Sequence, residues 1–521
     1  MKKKWVLMSA ALFIAALTLG CSPDQSGSDP SAGSSSASFP GPAARNSVII
    51  AQTVEPSSLD PHNCYELMAI RVYMNMFDSL IRADADGQLH PALAENWKIS
   101  GDGLTYTFKL RRDVKFQNGD PFTAADVKYS FERAMASPFC QEATEPMDSV
   151  EVIDDHTVAV KLKFAYSPQL NFFSTTYLAI VNKKVVEERG RDFSINPAGA
   201  GTGAYEFAGW KKGVSVTMTA NNGYFRGQPD IQTVVYRIIP EESAGAIALE
   251  SGDVDILLQP STVDVPNLKR NPDLAVYEAE SYYCEYLSIN VNTPPFDNLA
   301  VRQAMSMAID KNDLILAAVD GIGGTPTGTI VSRRSFGYDP GLAEPYPYDP
   351  ERAKELLAEA GFPDGFNCAI ETVDGVRKKV AEAYQAALAA IGIKAAINVV
   401  ENGTFWDDAA KGNNPLFIAG MTALPADGDP ILNSCLSATT IGTTNFSFYH
   451  NAEFQELLEE QRREADPEKR ARALRRMQQI VYLDIPLIPS YFRKTIAASD
   501  KNLKGFKVEA HNLFYADTLS W

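Results

Sequence analysis

Few residue patterns in this chain have the types and spacing needed for chemistry. The sequence has no GxSxG nucleophile elbow, no GxxxxGK[ST] phosphate loop and no CxxC pair. The histidines are too scattered to form an HExxH or HxH metal pair; they are His62, His90, His156, His450 and His511. We therefore predict no catalytic residue, no metal site and no cofactor, and we expect that the protein is not an enzyme.

Two segments match chemical motifs in part. Residues 199–204 (GAGTGA) fit the GxGxxA expression of dinucleotide-binding turns, which requires a strand before it and a helix after it. The alternating segment 214–218 predicts a strand instead, so we interpret the glycines as a close backbone crossing. Residues 84–87 (DADG) begin like a calcium loop, but the glycine comes too early and no glutamate closes the loop, which indicates a solvated turn.

Length and composition indicate a folded, acidic protein. The chain has 521 residues, with 48 Lys and Arg against 65 Asp and Glu, a formal net charge of -17 and 45% hydrophobic residues. These values exclude a disordered chain and a multi-span membrane protein, and the length predicts about two to four domains. The acidity argues against nucleic acid as a partner, because such binding requires clustered basic side chains.

The amino terminus predicts export and a lipid anchor. Three lysines precede an apolar run at 5–19, which is short for a membrane span of about 20 residues and suits a signal peptide. The run ends in LTLGC, which resembles a bacterial lipobox, so we predict a signal peptide at 1–20 and lipidation at Cys21. An ordinary secretory signal with an incidental cysteine is the alternative. Residues 21–45 are rich in Ser, Pro and Gly and predict a flexible tether.

The remaining cysteines are at least 67 residues apart: Cys64, Cys140, Cys284, Cys368 and Cys435. An exported protein can form disulfides between such residues, but their odd number leaves at least one thiol unpaired. The spacing does not choose the pairs.

Strands and helices alternate along the body and predict an α/β fold with several lobes. A short apolar run predicts a strand at 47–53, and alternating side chains predict strands at 105–110 and 157–162. Helix starts are predicted at Thr123, Asp349 and Asp466, the last two followed by Pro-Glu. The basic run at 469–476 is predicted to be a solvated helix face, with acidic residues nearby to pair with it.

An ordered series of short motifs covers nearly the whole chain from about Asn46. The motifs are LDP at 59–61, FDSL at 77–80, DG at 86–87, PALAENW at 91–97, DGLTYTFKLR at 102–111, VKF at 114–116, NG at 118–119, FTAADV at 122–127, GTG at 201–203, SGDVD at 251–255, PFD at 295–297, VRQA at 301–304 and AIDK at 308–311. In this order they resemble the bacterial solute-binding protein family 5, the extracellular dipeptide- and oligopeptide-binding components of ABC importers.

The resemblance implies a large periplasmic-binding-protein type II fold of class α/β, with two hinged lobes and an extra subdomain inserted in the first. On that template lobe I comprises 46–80, 204–290 and 490–521, the inserted subdomain 81–203 and lobe II 291–489. The chain crossings near Asn290 and Pro489 would form the hinge, and Pro486 and Pro489 interrupt the chain where a strand between the lobes would enter.

The resemblance also implies a function. The protein would capture di- or oligopeptides outside the membrane and deliver them to ABC permease subunits, as a monomer held by its lipid on the outer side of the cytoplasmic membrane, in the periplasmic space. The same transport role for a non-peptide solute, such as an oligosaccharide, an opine, nickel or haem, is the alternative. An exported hydrolase is a more remote one, which would need a carboxylate pair, a triad or a metal site.

The resemblance further implies ligand-binding residues. Peptide-binding members hold the ligand's α-ammonium with a carboxylate in a loop that here reads GMTALPADGDP at 420–430. Asp427 is the candidate ammonium partner, with a surface turn as the alternative, and Asp429 is expected to shape the turn. The other candidates for the walls of the site, with ordinary packing as the alternative for each aromatic residue, are Glu55, Pro56, Tyr283, Tyr286, Trp406 and Tyr491.

Overall fold

Two long antiparallel strands hold the folded body together. Leu274–Ile289 and Leu487–Asp500 pair along most of their lengths in the middle of an 11-stranded mixed sheet, within the residues that the structure describes. The structure is a computed structural model and describes residues 45–84, 87–342, 346–422 and 426–521. The predicted signal peptide, Cys21 and nearly all of the tether lie outside these residues. Residues 46–521 form one compact unit.

The strands of the described residues are β1 Ser47–Gln52, β2 Ile81–Ala83, β3 Leu89–Pro91, β4 Ala94–Ile99, β5 Thr105–Leu110, β6 Met147–Asp154, β7 Thr157–Leu162, β8 Tyr205–Lys211, β9 Ser215–Ala220, β10 Thr233–Ile238, β11 Ile256–Leu258, β12 Leu274–Ile289, β13 Gly324–Pro326, β14 Asn367–Thr372, β15 Lys394–Val399, β16 Leu416–Met421 and β17 Leu487–Asp500. The α-helices are α1 Leu67–Tyr73, α2 Ala124–Met135, α3 Gln141–Thr144, α4 Gln169–Phe172, α5 Lys183–Arg189, α6 Glu242–Glu250, α7 Val265–Arg270, α8 Leu299–Met307, α9 Lys311–Val319, α10 Pro350–Glu359, α11 Val376–Ala389, α12 Asn402–Lys411, α13 Gly428–Leu436, α14 Ala452–Arg463 and α15 Pro467–Asp484.

The main sheet carries both lobes. Its strand order is β15-β14-β16-β12-β17-β11-β1-β10-β9-β8, and β13 pairs with β17 off this path. The strands beyond β17 pack into one hydrophobic core with α1 and the last residues of the chain. The strands beyond β12 pack into another with α8, α9 and α11. A separate four-stranded sheet, β4-β5-β7-β6, forms its own core with α2 in the inserted segment.

The chain passes between the lobes where β12 and β17 change partners. β17 pairs with β11 at residues 497–499, and β12 pairs with β16 at residues 284–289. A register shift between Glu280 and Cys284 lies between these two stretches. Both strands continue through this stretch, which precedes Asn290 and follows Pro489, and a hinge at those two residues stays a prediction.

Local sequence signals located several elements correctly. The strands predicted at 47–53, 105–110 and 157–162 correspond to β1, β5 and β7 of the structure. Thr123 begins α2 with a reciprocal capping box to Asp126, and Asp349 and Asp466 accept backbone N–H bonds at the starts of α10 and α15. The solvated-face prediction for 469–476 is wrong at Arg470, whose side chain is buried between α15 and the loop before α13.

The glycine-rich segment 199–204 is a close crossing of two chain segments. A Cβ on Gly201 would lie 1.9 Å from the carbonyl oxygen of Met76, and one on Gly203 would lie 2.5 Å from its carbonyl carbon. Gly203 donates its N–H to that same oxygen at 2.9 Å. The strand β8 follows this segment. The packing interpretation is therefore confirmed, because the segment needs glycine to let the backbones approach.

The five cysteines after Cys21 are free thiols in this structure, four of them buried and Cys368 half-buried. Among the described residues, no helix is long and apolar enough to cross a membrane.

Candidate functional site

The carboxyl ends of strands from both lobes lie near the crossing, the stretch in which β12 and β17 change partners and pass from one lobe to the other. In the second lobe, β16 ends at Met421 opposite Cys284, the first paired β12 residue after the register shift. In the first lobe, β11 ends at Leu258 opposite Ala497 of β17, at the end nearer the crossing. Because open α/β sheets bind ligands outside the carboxyl ends of their strands, this crossing is the candidate site.

A buried carboxylate lies at this crossing between two arginines. Glu285 of β12 is fully buried, and its Oε1 accepts a hydrogen bond of 2.9 Å from Arg493 Nε on β17. Its Oε2 lies 3.6 Å from Arg377 Nε at the start of α11 and accepts no hydrogen bond among the described residues. Two guanidinium groups around one carboxylate leave an excess of positive charge, which suits an anionic ligand group.

Tyr283 completes this cluster. Its hydroxyl oxygen accepts a hydrogen bond of 2.6 Å from Arg377, and the Arg493 guanidinium lies 4.4 Å from the centre of its ring. Burial and the charge of Glu285 raise the pKa of Tyr283, so the hydroxyl stays protonated at neutral pH. Because its oxygen already accepts from Arg377, the hydroxyl proton remains available to donate to a ligand oxygen.

Gly420 provides the space in which the cluster fits. It lies opposite Glu285 in the β12–β16 register. A Cβ at this position would lie 2.6 Å from Glu285 Oε2 and 2.5 Å from the ring of Tyr283. Both contacts are shorter than real Cβ atoms make, so a side chain at position 420 would displace the carboxylate and the tyrosine.

Aromatic rings also lie close to Arg377. The Arg377 guanidinium lies 5.6 Å from the centre of the half-buried Trp406 ring, which packs against Phe405 and Phe446. A guanidinium within about 6 Å of an indole is attracted to the ring face. The structure therefore brings two of the predicted wall residues, Tyr283 and Trp406, to the same arginine.

Three helices begin at this edge of the second lobe. The helices α11, α12 and α13 follow β14, β15 and β16 respectively. The first turns of helices carry unpaired N–H groups and partial positive charge, which favours anions nearby. Arg377 lies in the first turn of α11 and adds a full charge to this edge.

Asp427 occupies a different environment from the one expected for a free ligand anchor. It is the N-cap of α13 and is 1% exposed. Its two carboxylate oxygens accept hydrogen bonds of 2.6 and 2.7 Å from Arg470 of α15. The charge of Asp427 is therefore balanced within the protein, since Arg470 lies on the buried face of its helix and points at this loop.

Asp429, expected to shape the turn, is likewise neutralised within the protein. It is fully buried, and Arg462 of α14 donates to it from Nε at 2.7 Å and from a terminal nitrogen at 3.0 Å. Tyr166 of the inserted segment donates its hydroxyl proton to Asp429 at 3.1 Å. This bond joins the inserted segment to the second lobe.

Glu55 and Pro56 lie in the loop after β1 and make contacts within the first lobe. Glu55 Oε1 accepts hydrogen bonds of 2.6 Å from Trp210 Nε1 and 2.8 Å from the Gly213 N–H. Pro56 is buried. The carboxylate of Glu55 therefore fixes the loop to the β8–β9 hairpin.

Tyr286 and Tyr491 are core residues and do not line an open site. Tyr286 is 2% exposed and packs among apolar side chains of the second lobe, with its hydroxyl 3.7 Å from Cys435 Sγ. Tyr491 is fully buried in the core beside β14 and α11. This burial contradicts their expected role as wall residues, because each side chain packs in a hydrophobic core of the second lobe.

Two cavities adjoin the loop after β16 at Ala426. The first has a volume of about 130 Å³, and Tyr282 and His511 line it together with α1. The second, of about 750 Å³, lies between the inserted segment and the second lobe, and Asp427 and Arg470 are in its wall. The larger cavity therefore presents a carboxylate that already has its cation.

The described residues contain no group of three or more His, Cys, Asp or Glu side chains arranged to hold a metal ion.

Sequence reasoning missed the charged residues of the crossing. Glu285 and Arg493 are 208 residues apart, and Arg377 follows a different strand. None of the three belongs to a local motif. Only the pairing of β12 with β17 and β16 brings them together, so a prediction of that pairing would have been the necessary signal.

The family model described as "Bacterial extracellular solute-binding proteins, family 5 Middle" matches residues 88–443. The chain is similar to the glutathione-binding protein GsiB of Salmonella choleraesuis (strain SC-B67), with 30% identity over 91% of this chain and 94% of that protein. It is also similar to the heme-binding protein A of Haemophilus influenzae, with 30% identity over 80% of this chain and 81% of that protein.

Solved structures give the same result for the fold. HbpA2 from Haemophilus parasuis superposes with a TM-score of 0.85 at 27% identity, covering 91% of this chain and 99% of that one. The periplasmic binding protein DppA from Helicobacter pylori, in complex with the peptide STSA, gives 0.75 at 28% identity, covering 91% and 97%. These matches confirm the predicted two-lobed type II fold of periplasmic binding proteins. The chain therefore belongs to the bacterial extracellular solute-binding proteins of family 5 and is a substrate-binding component of an ABC importer.

Proposed function

We propose that this component captures short peptides with a free carboxylate, of about the size of glutathione, at the crossing of β12 and β17. The observation that carries the proposal is the positive cluster of Arg377 and Arg493 around the single carboxylate of Glu285. Arg377 and the Tyr283 hydroxyl are donors that a ligand carboxylate can use. The names of GsiB and of the DppA complex support a peptide ligand.

Native mass spectrometry of the protein purified gently from cells, beginning at Asn46, tests the ligand class. Release and sequencing of the bound material should give one or more short peptides. A sugar, an opine, a nickel complex or haem would contradict the peptide assignment and leave the importer role in place.

Titration calorimetry with glutathione and with the peptide STSA tests the site. Arg377→Met should weaken binding about 10- to 100-fold, since a hydrogen bond to a charged group contributes about 1.5–3 kcal/mol. Arg352→Met is the matched control, because this arginine is half-exposed on α10 and its ion pairs with the described residues are with Glu355 and Glu359. Equal losses in both variants would contradict the assignment of the site.

The proposal includes the lipid anchor at Cys21 and a monomeric receptor that meets the permease at the outer side of the cytoplasmic membrane. The mature protein should begin at Cys21 and carry a lipid-sized mass on that residue, and the Cys21→Ser variant should lose both features. Cleavage at another residue with an unmodified Cys21 would contradict the anchor.

Light scattering of the soluble body should give the mass of one chain, and a dimer mass would contradict the monomer.

A further inference from the structure

Arg71 is a buried cation that has no carboxylate partner among the described residues. It lies in α1 of the first lobe and is 2% exposed. Its Nε donates a hydrogen bond of 3.1 Å to the carbonyl oxygen of Asn512, whereas its Nη2 is buried and donates to no atom of the described chain. Burial lowers the pKa of Arg71 to about 10, so the side chain stays charged at neutral pH. Because an unpaired charge away from water is costly, this arginine suits an anionic partner.

The side chain of Asn512 belongs to the same turn and is also unsatisfied. Asn512 is 2% exposed, and neither its amide nitrogen nor its amide oxygen has a hydrogen-bond partner within the described residues. Its φ is +54°, and its N–H donates to the carbonyl oxygen of Glu509, so a tight turn holds the residue against α1. Buried polar atoms without partners are rare in folded proteins. Arg71 Nη2 and Asn512 Nδ2 are therefore two donors that an anionic group can use.

The first cavity is bordered by the two chain segments that carry these residues. The lining residues next to Arg71 and Asn512 in the chain are Ile70 and Met74 on α1 and His511 and Leu513 in the turn. Tyr282 of β12, which precedes Tyr283, also lines the cavity. Its volume of about 130 Å³ exceeds the ~10–15 Å³ that one water needs, so it can admit a ligand group. The cavity therefore extends from the segments that hold Arg71 to β12 at the crossing.

We propose that Arg71 and Asn512 form a second carboxylate subsite, so that the ligand is a short peptide with two carboxylates. This inference rests on the proposed function, in which Arg377 takes the C-terminal carboxylate. The second carboxylate lies on an acidic side chain or at the other end of a γ-linked peptide such as glutathione. It enters the first cavity and accepts hydrogen bonds from the first lobe. Peptides with a single carboxylate leave Arg71 unpaired and bind more weakly.

One variant tests the unpaired state of Arg71 without any ligand. Asn512→Asp puts a carboxylate beside the guanidinium, and Asp tolerates the left-handed backbone at this position. Thermal melts of the soluble body should give a higher melting temperature for Asn512→Asp than for the wild type, because Arg71 gains a partner. An equal or lower melting temperature would mean that ordered water already satisfies Arg71, and it would overturn the subsite.

Asn222→Asp is the matched control for this melt. The Asn222 side chain is exposed and accepts a hydrogen bond of 2.8 Å from Gln228. The added charge there meets water and no buried cation, so the melting temperature should stay that of the wild type. A rise equal to that of Asn512→Asp would contradict a specific effect on Arg71.

Calorimetry with glutathione and two of its amides tests the subsite in the binding reaction. Glutathione has two carboxylates, and each amide replaces one of them by a neutral group of similar shape. The wild type should bind either amide about tenfold or more weakly, as expected for a lost charge-assisted bond. Arg71→Met and Asn512→Asp should bind glutathione and its γ-glutamyl α-amide alike and still discriminate against the glycine amide. Arg377→Met should show the opposite pattern.

Arg226→Met is the matched control for Arg71→Met. Arg226 also donates to a backbone carbonyl oxygen, that of Pro91, but its side chain is exposed. This variant should discriminate against both amides as the wild type does. Asn512→Asp, which changes one amide to a carboxylate, carries the test if Arg71→Met does not fold.

The outcomes separate this inference from the function on which it rests. If the folded variants of the subsite still discriminate against the γ-glutamyl α-amide, the subsite is wrong and the peptide function stands. Binding of STSA, which has one carboxylate, without binding of glutathione would also overturn the subsite alone. If neither peptide binds the wild type, the proposed function and the subsite both fail.

Discussion

Arg470 binds Asp427 through two hydrogen bonds of 2.6 and 2.7 Å, and both side chains are less than 10% exposed. The pair joins α15 to the start of α13 and fixes the loop between β16 and α13. A carboxylate that is held in this way stabilises the second lobe. A positively charged ligand group would therefore need a partner other than Asp427.

Removing one member of this pair should destabilise the fold strongly. Arg470→Met leaves the buried Asp427 charge unpaired, and such a change costs about 3–5 kcal/mol in the free energy of unfolding. The double variant Asp427→Asn/Arg470→Met should recover much of that loss, because it leaves no uncompensated charge. Urea denaturation of the soluble body measures both.

The exposed pair of Arg476 with Glu453 is the control for this experiment. Arg476→Met should cost about 1 kcal/mol or less, because water screens exposed ion pairs. A loss for Arg470→Met as small as that for Arg476→Met would contradict the structural role of the buried pair.

Gly420→Ala should weaken peptide binding while the protein remains folded. The added Cβ would meet the Tyr283 ring and Glu285 Oε2 at 2.5 and 2.6 Å, so both side chains must move and Arg377 must follow. We expect a loss in affinity of about tenfold or more in calorimetry, the effect of one lost charge-assisted contact.

Gly209→Ala provides the comparison, because a Cβ at that position in β8 would meet no atom within 4 Å. This variant should bind as the wild type does. If Gly420→Ala also bound normally, the cluster at the crossing could not be the binding site.

The buried Lys311 should make stability depend on pH. It lies at the start of α9, donates to the carbonyl oxygen of Pro489, and burial lowers its pKa to about 7 from 10.5. Between these values the unfolded lysine binds a proton that the folded one does not, so the free energy of unfolding rises with pH. From pH 7 to 9 the wild type should gain about 2 kcal/mol relative to Lys311→Met.

Urea denaturation at pH 7, 8 and 9 checks this slope. The comparison with Lys311→Met removes the contributions of the other titrating groups, which both proteins share. Parallel curves for the two proteins would show that Lys311 keeps its proton in the folded state.

Local signals in the sequence predicted local structure well. Strand β7 and the starts of α2, α10 and α15 follow from alternation and capping residues that lie within a few positions of each other. The family resemblance supplied the two-lobed fold, because its motifs appear in order along the chain.

The candidate site depends on contacts that the sequence does not contain locally. Arg470 lies 43 residues from Asp427, and Arg493 lies 208 residues from Glu285. Tyr283, which contacts Arg377, and Tyr286, which is in the core, are three positions apart on β12 and so lie on opposite faces of the strand. Since one position of register exchanges the two faces of a strand, the direction of each tyrosine could not be inferred before the pairing was known.

We propose that the arginines at the crossing of β12 and β17 hold the carboxylate of a short peptide. Calorimetric titration of the wild type and of Arg377→Met with one peptide as the free acid and as the C-terminal amide tests it most directly. The wild type should bind the acid about tenfold or more tightly than the amide, and Arg377→Met should bind the two alike. Equal binding of acid and amide by the wild type would contradict the claim.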